Sequence, residues 1–378
     1  MHETYDFDAA VVGAGVIGLA HAYHLAKRGL RVVVFERGPQ ATGASIRNFG
    51  MLWPIGQPPG KMHRMALRSR DVWLEVLQES GIWHECTGSL FLAYHSEELQ
   101  ILSEFAATAP EHGYECTLMN SEEVRQLSPF VRSENLLGGL VSPTEICVDP
   151  PAVIPGLADF LHRRFDVRFV FNTTVTGYDA PTVLAGGKEW RAECLFVCAG
   201  DDLTTLFPET LQSAGLSRCK LQMLRSQPIA PQRLGPMLAA GLTLRHYKAF
   251  AHCPTLAAYS ARVSAETPEF DRYGIHVMAS QNGKGELVLG DSHEYDSAIT
   301  PFDKPEIDAL ILNYLHTFLR VPDLHIAARW HGIYVKHATE PYLLFHPAPQ
   351  ATVVGGVGGA GMTLSFGLAE RVVAETLA

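Results

Sequence analysis

Val11-Val12-Gly13-Ala14-Gly15-Val16-Ile17-Gly18 is the stretch on which the fold turns. An apolar strand, Phe7 to Val12, runs into it, and a helical pattern, Leu19 to Arg28, runs out of it. Gly29 then leads to a second apolar strand, Arg31 to Phe35, which ends in Glu36. Strand, glycine turn, helix and strand in this order predict a βαβ unit that cradles a dinucleotide. Gly13 permits the tight turn, Gly15 lets the backbone approach a pyrophosphate, and Gly18 lets the helix pack closely on the sheet. The backbone of Ala14, Val16 and Ile17 opens the helix, whose N-terminus directs unpaired N–H groups at phosphate. Glu36 is placed to accept hydrogen bonds from the ribose hydroxyls, which argues against a 2′-phosphate and so against NADP.

Composition narrows the function further. The chain has 378 residues, enough for two domains, and is 47% hydrophobic and 19% charged, as in an ordinary globular protein. A net charge of −10 without any basic run argues against a nucleic-acid partner. The seven cysteines show no CxxC pair and read as thiols of a reducing compartment. Seventeen histidines include no HxxxH or HExxH spacing, so no metal is expected. The start lacks the basic region of a secretory signal. The apolar run Ala9–Ala26 carries three motif glycines, His21 and His24, which is wrong for a bilayer core. The expectation is a cytoplasmic protein without a membrane span.

The rest of the chain completes an α/β plan. Val167 to Phe171 is a strand, Gly186-Gly187 marks a hairpin, and Cys194 to Gly200 is a buried strand opening onto Ala199-Gly200, where a ligand can approach the backbone. Near the end, Thr352-Val353-Val354 runs into Gly355-Gly356-Val357-Gly358-Gly359-Ala360-Gly361, then into a helix from Met362 to Leu377. This repeats the phosphate-cradle logic. The predicted fold is therefore a discontinuous Rossmann-type domain from residues 1–81, 149–215 and 329–378, with an inserted antiparallel-sheet α+β substrate domain from 82–148 and 216–328. In the second part, Asn282-Gly283 signals a turn between two alternating segments, and Pro305–Phe318 reads as a helix.

Taken together, Gly13-x-Gly15-x-x-Gly18, Glu36-Arg37, Gly43-Ala44-Ser45, Phe49-Gly50-Met51, Cys198-Ala199-Gly200, Trp330-x-Gly332 and the loop 355–361 resemble the D-amino acid oxidase superfamily of flavoenzymes, near glycine oxidase and sarcosine oxidase. The segment Gly43 to Gly50, Trp53 to Gln57 and Gly290 to Tyr295 further resembles a clade associated with phosphonate degradation, linked to oxidation of modified 2-aminoethylphosphonates. The resemblance implies FAD. Glu36 and Arg37 would lie at the ribose, Ala44 and Ser45 near the pyrophosphate, and Val175 at adenine. Asn48, Phe49, Gly50 and Met51 would line the flavin ring, with Ala199, Gly200 and Gly332 nearby. Val357, Gly358, Gly359, Ala360, Gly361, Met362 and Thr363 would aim a helix N-terminus at the flavin N1–C2=O edge, where reduced flavin carries negative charge. Attachment would be non-covalent, because Gly332 stands near where sarcosine oxidases carry a cysteine.

The implied reaction removes a hydride from the carbon bearing an amine, with the flavin as acceptor and hydrolysis of the resulting imine to an aldehyde and a free amine. Oxygen or another acceptor, such as a quinone, would reoxidise the flavin. In glycine oxidase relatives an arginine after the Trp-x-Gly motif clamps the substrate carboxylate, and a second lies in the C-terminal loop; these positions hold Tyr334 and Gly359 here. Their loss weakens the case for a simple α-amino acid. Lys336, His337, Arg47 and His293 are the candidate replacements, with Trp53 and Gln57 lining the cavity. Each has a plainer alternative: Lys336 a solvated lysine, His293 a structural histidine, Arg47 a partner of pyrophosphate or a carboxylate, Tyr334 and Trp53 core packing. Arg245-His246-Tyr247 is a secondary candidate, and the face taken by His276 is undecidable from sequence. A modified 2-aminoethylphosphonate, for example N-methylated, is the leading substrate class. A D-amino acid, glycine or sarcosine-type oxidase or dehydrogenase is the alternative, and a non-catalytic flavin-binding protein the minor one.

Overall fold

A computed structural model describes residues 6–229, 231–296 and 298–377. Strand Asp6–Val12 lies in the middle of an eight-stranded sheet, parallel to Val32–Phe35 on one side and to Lys188–Val197 on the other. Both faces of this centre are covered, so Ala9, Ala10, Val11, Val33, Val34 and Phe196 are all buried. That is why these strands read as continuous apolar runs with no alternation. Arg168–Val170 pairs in parallel beyond Val32–Phe35. Ala351–Gly355 pairs in parallel with the distal half of Lys188–Val197, and Leu343–Ala348 lies antiparallel beside it. The hairpin predicted at Gly186-Gly187 joins Thr182–Ala185 to Lys188–Val197, with both glycines at positive φ, as a tight two-residue hairpin requires.

The first helix is Val16–Lys27, three residues earlier than its apolar periodicity announced, because the helix starts directly at the glycine turn. It packs on the last helix, Gly361–Thr376, which in turn packs on the long helix Lys61–Ser80. Phe366 is the hub: the rings of Tyr23 and Trp73 meet it edge-on at 5.4 and 4.9 Å. The Trp73 indole N–H also donates to the Met362 carbonyl at 3.0 Å, tying the start of the last helix to the middle of the chain. Among the described residues no helix is long and apolar enough to cross a membrane.

A second, nine-stranded sheet contains Ser89–Ala93, Thr117–Asn120, Gly138–Ser142, Leu216–Pro228, Met237–Ala239, Met278–Gln281, Glu286–Gly290, Glu294–Asp296 and Ile326–His337. Helix Pro305–Phe318, at its predicted bounds, buries Ile307, Ile311, Leu315 and Phe318 in the same core. The expected antiparallel sheet needs one correction. Met237–Ala239 runs parallel to Ser89–Ala93, so the sheet is mixed; the two strands are far apart in sequence and no hairpin constrains their direction. Strand Ile326–His337 pairs along nearly its whole length with Leu216–Pro228. Residues from 329 onward, grouped by sequence with the glycine-rich part, thus begin inside the second sheet.

Two outcomes test this account. A Cβ at position 18 would lie 1.9 Å from the Gly13 carbonyl oxygen, so Gly18→Ala is expected to cost about 3 kcal/mol in urea unfolding. His21, His24 and His63 are buried, and desolvation pushes each imidazole down to about 4. The unfolded chain takes up these protons near pH ~6.5, before the folded one does, so stability present above that pH is lost as pH falls towards 4. His21→Leu should shallow that slope; an unchanged slope in the variant would contradict the assignment.

Candidate functional site

The first turn is built by backbone approach. Gly13, at φ +97°, donates its N–H to the Phe35 carbonyl at 2.8 Å, and a Cβ there would lie 2.5 Å from the Cys198 carbonyl oxygen. The helix that follows has no side-chain cap of its own at Gly15. Ser45 from a distant loop supplies a partner, its Oγ accepting the Val16 N–H at 2.9 Å. Glu36 is more than a ribose candidate: its carboxylate accepts from the Ala14 N–H and the Gly38 N–H, each at 3.0 Å, so it ties the glycine turn to the end of the second strand. Arg37 pairs with Asp202 at 3.1 Å, and Asp202 in turn caps the Thr204 and Thr205 N–H groups. Asp202 thus shapes a turn.

A single cavity of about 870 Å³ starts at Thr173, Thr174, Val175, Ala199 and Gly200, passes Gly13, Gly15, Val16, Ile17, Ala44 and Ser45, and ends among aromatic and histidine side chains. The loop into this far end is held by its own residues. The Asn48 amide donates to the Ala44 and Ser45 carbonyls and its Oδ1 accepts the Gly50 N–H at 2.8 Å. This engages Asn48 in shaping the loop. Gly50 takes φ +73°, and a Cβ would lie 2.0 Å from the Val148 carbonyl oxygen. Trp330 donates to the Arg47 carbonyl at 3.1 Å, and the Arg47 guanidinium returns a bond to the His331 carbonyl at 3.2 Å. A Cβ on Gly332 would come within 3.3 Å of the same Arg47 carbonyl oxygen, which explains glycine two residues after that tryptophan. Phe49 and Met51 line the cavity beside this crossing.

The C-terminal glycine loop closes the opposite side. Lys336 bridges to Val357 along the backbone, and its side chain lies over Gly358. A side chain at Gly359 would point at the Tyr334 ring, 3.9 Å away. Helix Gly361–Thr376 begins at Ala360 without a side-chain cap, and Thr363 Oγ1 accepts the Trp53 N–H at 2.8 Å. Trp53 stacks near Tyr247, with ring centroids 6.1 Å apart, and its indole N–H is buried without a partner. Gln57 also lines the cavity, while its carbonyl accepts the Tyr114 hydroxyl at 2.6 Å.

Three histidines converge at this end. His276 and His246 stack at 4.0 Å, and His246 and His293 lie 4.7 Å apart, centroid to centroid. Sequence made His293 a site candidate and Arg245-His246-Tyr247 a secondary one, and left the face of His276 open. His246 ends a short helix, Gly241–His246, and His276 precedes strand Met278–Gln281, so no local spacing announces the group. Desolvation holds the His293 imidazole below its ordinary range, and hence neutral near pH 7. Desolvation pushes the Tyr334 hydroxyl well above its usual value, and Tyr295 up to about 12, so both remain protonated donors, 3.4 Å apart. The Lys336 ammonium stands 5.5 Å from the Tyr295 ring centre. His337 lines the same cavity, but its Nδ1 accepts the Thr339 and Glu340 N–H groups and caps a turn.

The sequence model of the DAO family, FAD dependent oxidoreductase, matches residues 8–375. The chain belongs to this family. Glycine oxidase of Geobacillus kaustophilus is 30% identical to this chain over 376 residues, covering 91% of this chain and 85% of the relative. Human mitochondrial sarcosine dehydrogenase is 27% identical over 174 residues, 45% of this chain. The match takes in only 19% of that relative, so this chain spans about a fifth of the sarcosine dehydrogenase. The crystal structure of the G. kaustophilus glycine oxidase shares the fold, with TM-score 0.78, 21% identity and coverage of 99% and 95% of the two chains. So does L-α-glycerophosphate oxidase from Mycoplasma pneumoniae, solved with FAD bound, at TM-score 0.77, 18% identity and coverage of 99% and 95%.

The residues present fit FAD. The cradle at Gly13, Gly15 and Gly18 is cleared of Cβ atoms, one cavity links it to an uncapped second helix start, and Glu36 rims the first turn. Glu36→Ala removes both backbone anchors of that carboxylate. It is expected to weaken FAD retention by about ten- to a hundredfold, read as flavin lost on gel filtration at low protein concentration. Undiminished flavin content would count against the role.

Proposed function

We propose that the protein oxidises a small amine bearing an acidic group, with FAD as acceptor of the hydride from the carbon attached to nitrogen. In this reading Gly13 to Gly18, Glu36, Arg37, Ala44, Ser45 and Val175 hold the ADP half. Phe49, Gly50, Met51, Gly332 and Val357 to Thr363 surround the flavin ring. The division into a cofactor part (1–81, 149–215, 329–378) and a substrate part (82–148, 216–328) goes with it, strand Ile326–His337 serving both.

The chain's own groups then have distinct tasks. His293 Nδ1 donates to the Gly274 carbonyl at 3.0 Å, which fixes the ring at the end of the cavity where the substrate amine would lie. The amine must be neutral for its lone pair to assist hydride departure. The protonated hydroxyls of Tyr334 and Tyr295 donate to the acidic group, and Lys336 supplies a point charge. Trp53, Met51 and Phe49 exclude water from the reacting carbon.

The substrate class rests on one observation. Gly359 and Tyr334, where glycine oxidase relatives carry carboxylate-binding arginines, face each other here with no guanidinium between them, and a lysine lies beside the glycine loop. A planar bidentate fork suits a carboxylate; dispersed donors around a point charge suit a tetrahedral dianion. This supports a modified 2-aminoethylphosphonate, such as the N-methyl compound. The 30% identity to a glycine oxidase favours a second reading, oxidation of glycine, sarcosine or a D-amino acid. Anaerobic bleaching of the flavin separates the two. N-methyl-2-aminoethylphosphonate should bleach it faster than glycine, sarcosine or D-alanine, and Lys336→Met should raise the KM for the phosphonate about tenfold or more. Faster bleaching by the three amino acids would reject the phosphonate reading.

A further inference from the structure

The histidine group holds more donor capacity than amine oxidation requires. His276 Nδ1 lies 2.9 Å from Asp291 Oδ1, and His293 Nδ1 lies 3.0 Å from the Gly274 carbonyl oxygen. A carboxylate and a carbonyl can only accept, so both imidazoles carry a proton on Nδ1, and Nε2 is the nitrogen that these bonds leave free. His276 is only 3% exposed, and its Nε2 is buried with no partner at all. His246 opens onto the cavity, and neither of its ring nitrogens has a recorded hydrogen bond among the described residues. One ring nitrogen from each of the three lies within 4.8 Å of the other two.

From this arrangement we infer that His246, His276 and His293 form a three-imidazole site for a borderline divalent transition-metal ion of the Zn²⁺ type at the end of the cavity. Three features carry it. Three imidazoles are a ligand set that such ions take, leaving a fourth position open. Asp291 behind His276, and the Gly274 carbonyl behind His293, are the outer partners that fix tautomer and ring orientation at metal sites. Asp291 is itself 96% buried, 3.7 Å from His293 Nδ1, and so places compensating negative charge behind two of the three ligands. Metal–nitrogen bonds of about 2.1 Å need nitrogen separations near ~3.4 Å, so the His246 ring, stacked on His276 at 4.0 Å, must turn out of that stack for its lone pair to meet the other two. The fold offers no sequence spacing for it because the ligands come from a helix end, a strand approach and a strand exit. The sequence expectation of no metal rested on the lack of such spacing.

The fourth position opens onto the cavity, where an oxygen of the substrate's acidic group would complete the coordination. That last step rests on the function proposed above; the metal site does not. The test uses the FAD-loaded protein, freed of metal by dialysis against a chelator and titrated with ZnCl₂ by calorimetry and with CoCl₂ by absorbance. One ion per chain is expected, with tetrahedral cobalt bands appearing beyond the flavin absorption. His246→Ala should weaken binding at least about a hundredfold, and Asp291→Asn about ten- to a hundredfold, with flavin content and thermal unfolding checked for both. Substoichiometric binding, or wild-type affinity in His246→Ala, overturns the site. Methylphosphonate added to the cobalt form should perturb its bands; unperturbed bands overturn the substrate contact and leave the metal standing. Bleaching by the amine panel, run with and without zinc, judges the proposed function separately.

Discussion

Two backbone segments approach each other at the first turn more closely than any side chain would allow, and the whole binding surface depends on that approach. The Gly13 carbonyl sits where a Cβ of residue 18 would be, and the Cys198 carbonyl where a Cβ of residue 13 would be. Helix Val16–Lys27 therefore starts flush against the sheet, and strands Asp6–Val12 and Lys188–Val197 close over the same point. Glu36 completes the knot by accepting the Ala14 N–H. A part-buried carboxylate-to-amide bond of this kind contributes more through what its loss would expose than through its net strength, because an orphaned N–H at that turn costs about 1–3 kcal/mol.

The second constraint couples the two sheets. Strand Ile326–His337 belongs by register to the nine-stranded sheet, yet its Trp330 and Gly332 hold the loop that follows the glycine turn, and Lys336 bridges to the C-terminal glycine loop. The cavity is thus walled by one sheet and cradled by the other. Polar groups line both ends, and between them Trp53, Phe49, Met51, Met223 and Leu221 line the cavity. An apolar passage with polar groups placed at its ends orients a ligand. Desolvation there holds the His293 imidazole below its ordinary range and keeps the Tyr334 phenol protonated, beside the Lys336 ammonium.

Family membership matters for how this surface is read. The match to FAD dependent oxidoreductases spans residues 8–375, which include the cradle and the glycine loop. The group His246, His276, His293 and Asp291 comes from three separated segments within the same span.

How much was legible beforehand follows from the range of the physics involved. Gly13 to Gly18, Glu36, the buried strands and helix Pro305–Phe318 obey local rules: a turn that needs glycine, a strand buried on both faces, a helix opened by proline and carrying its apolar stripe on one face. Residues within a few positions of each other settle these outcomes, so the amino-acid order was sufficient for them. The direction of Met237–Ala239 against Ser89–Ala93, the sheet to which Ile326–His337 belongs, the turn-capping of His337 and Asp202, and the meeting of His246 with His276 and His293 obey no such rule. They depend on which distant backbones lie side by side once the core has closed, and side-chain packing across hundreds of residues, not any periodicity along the chain, made those choices.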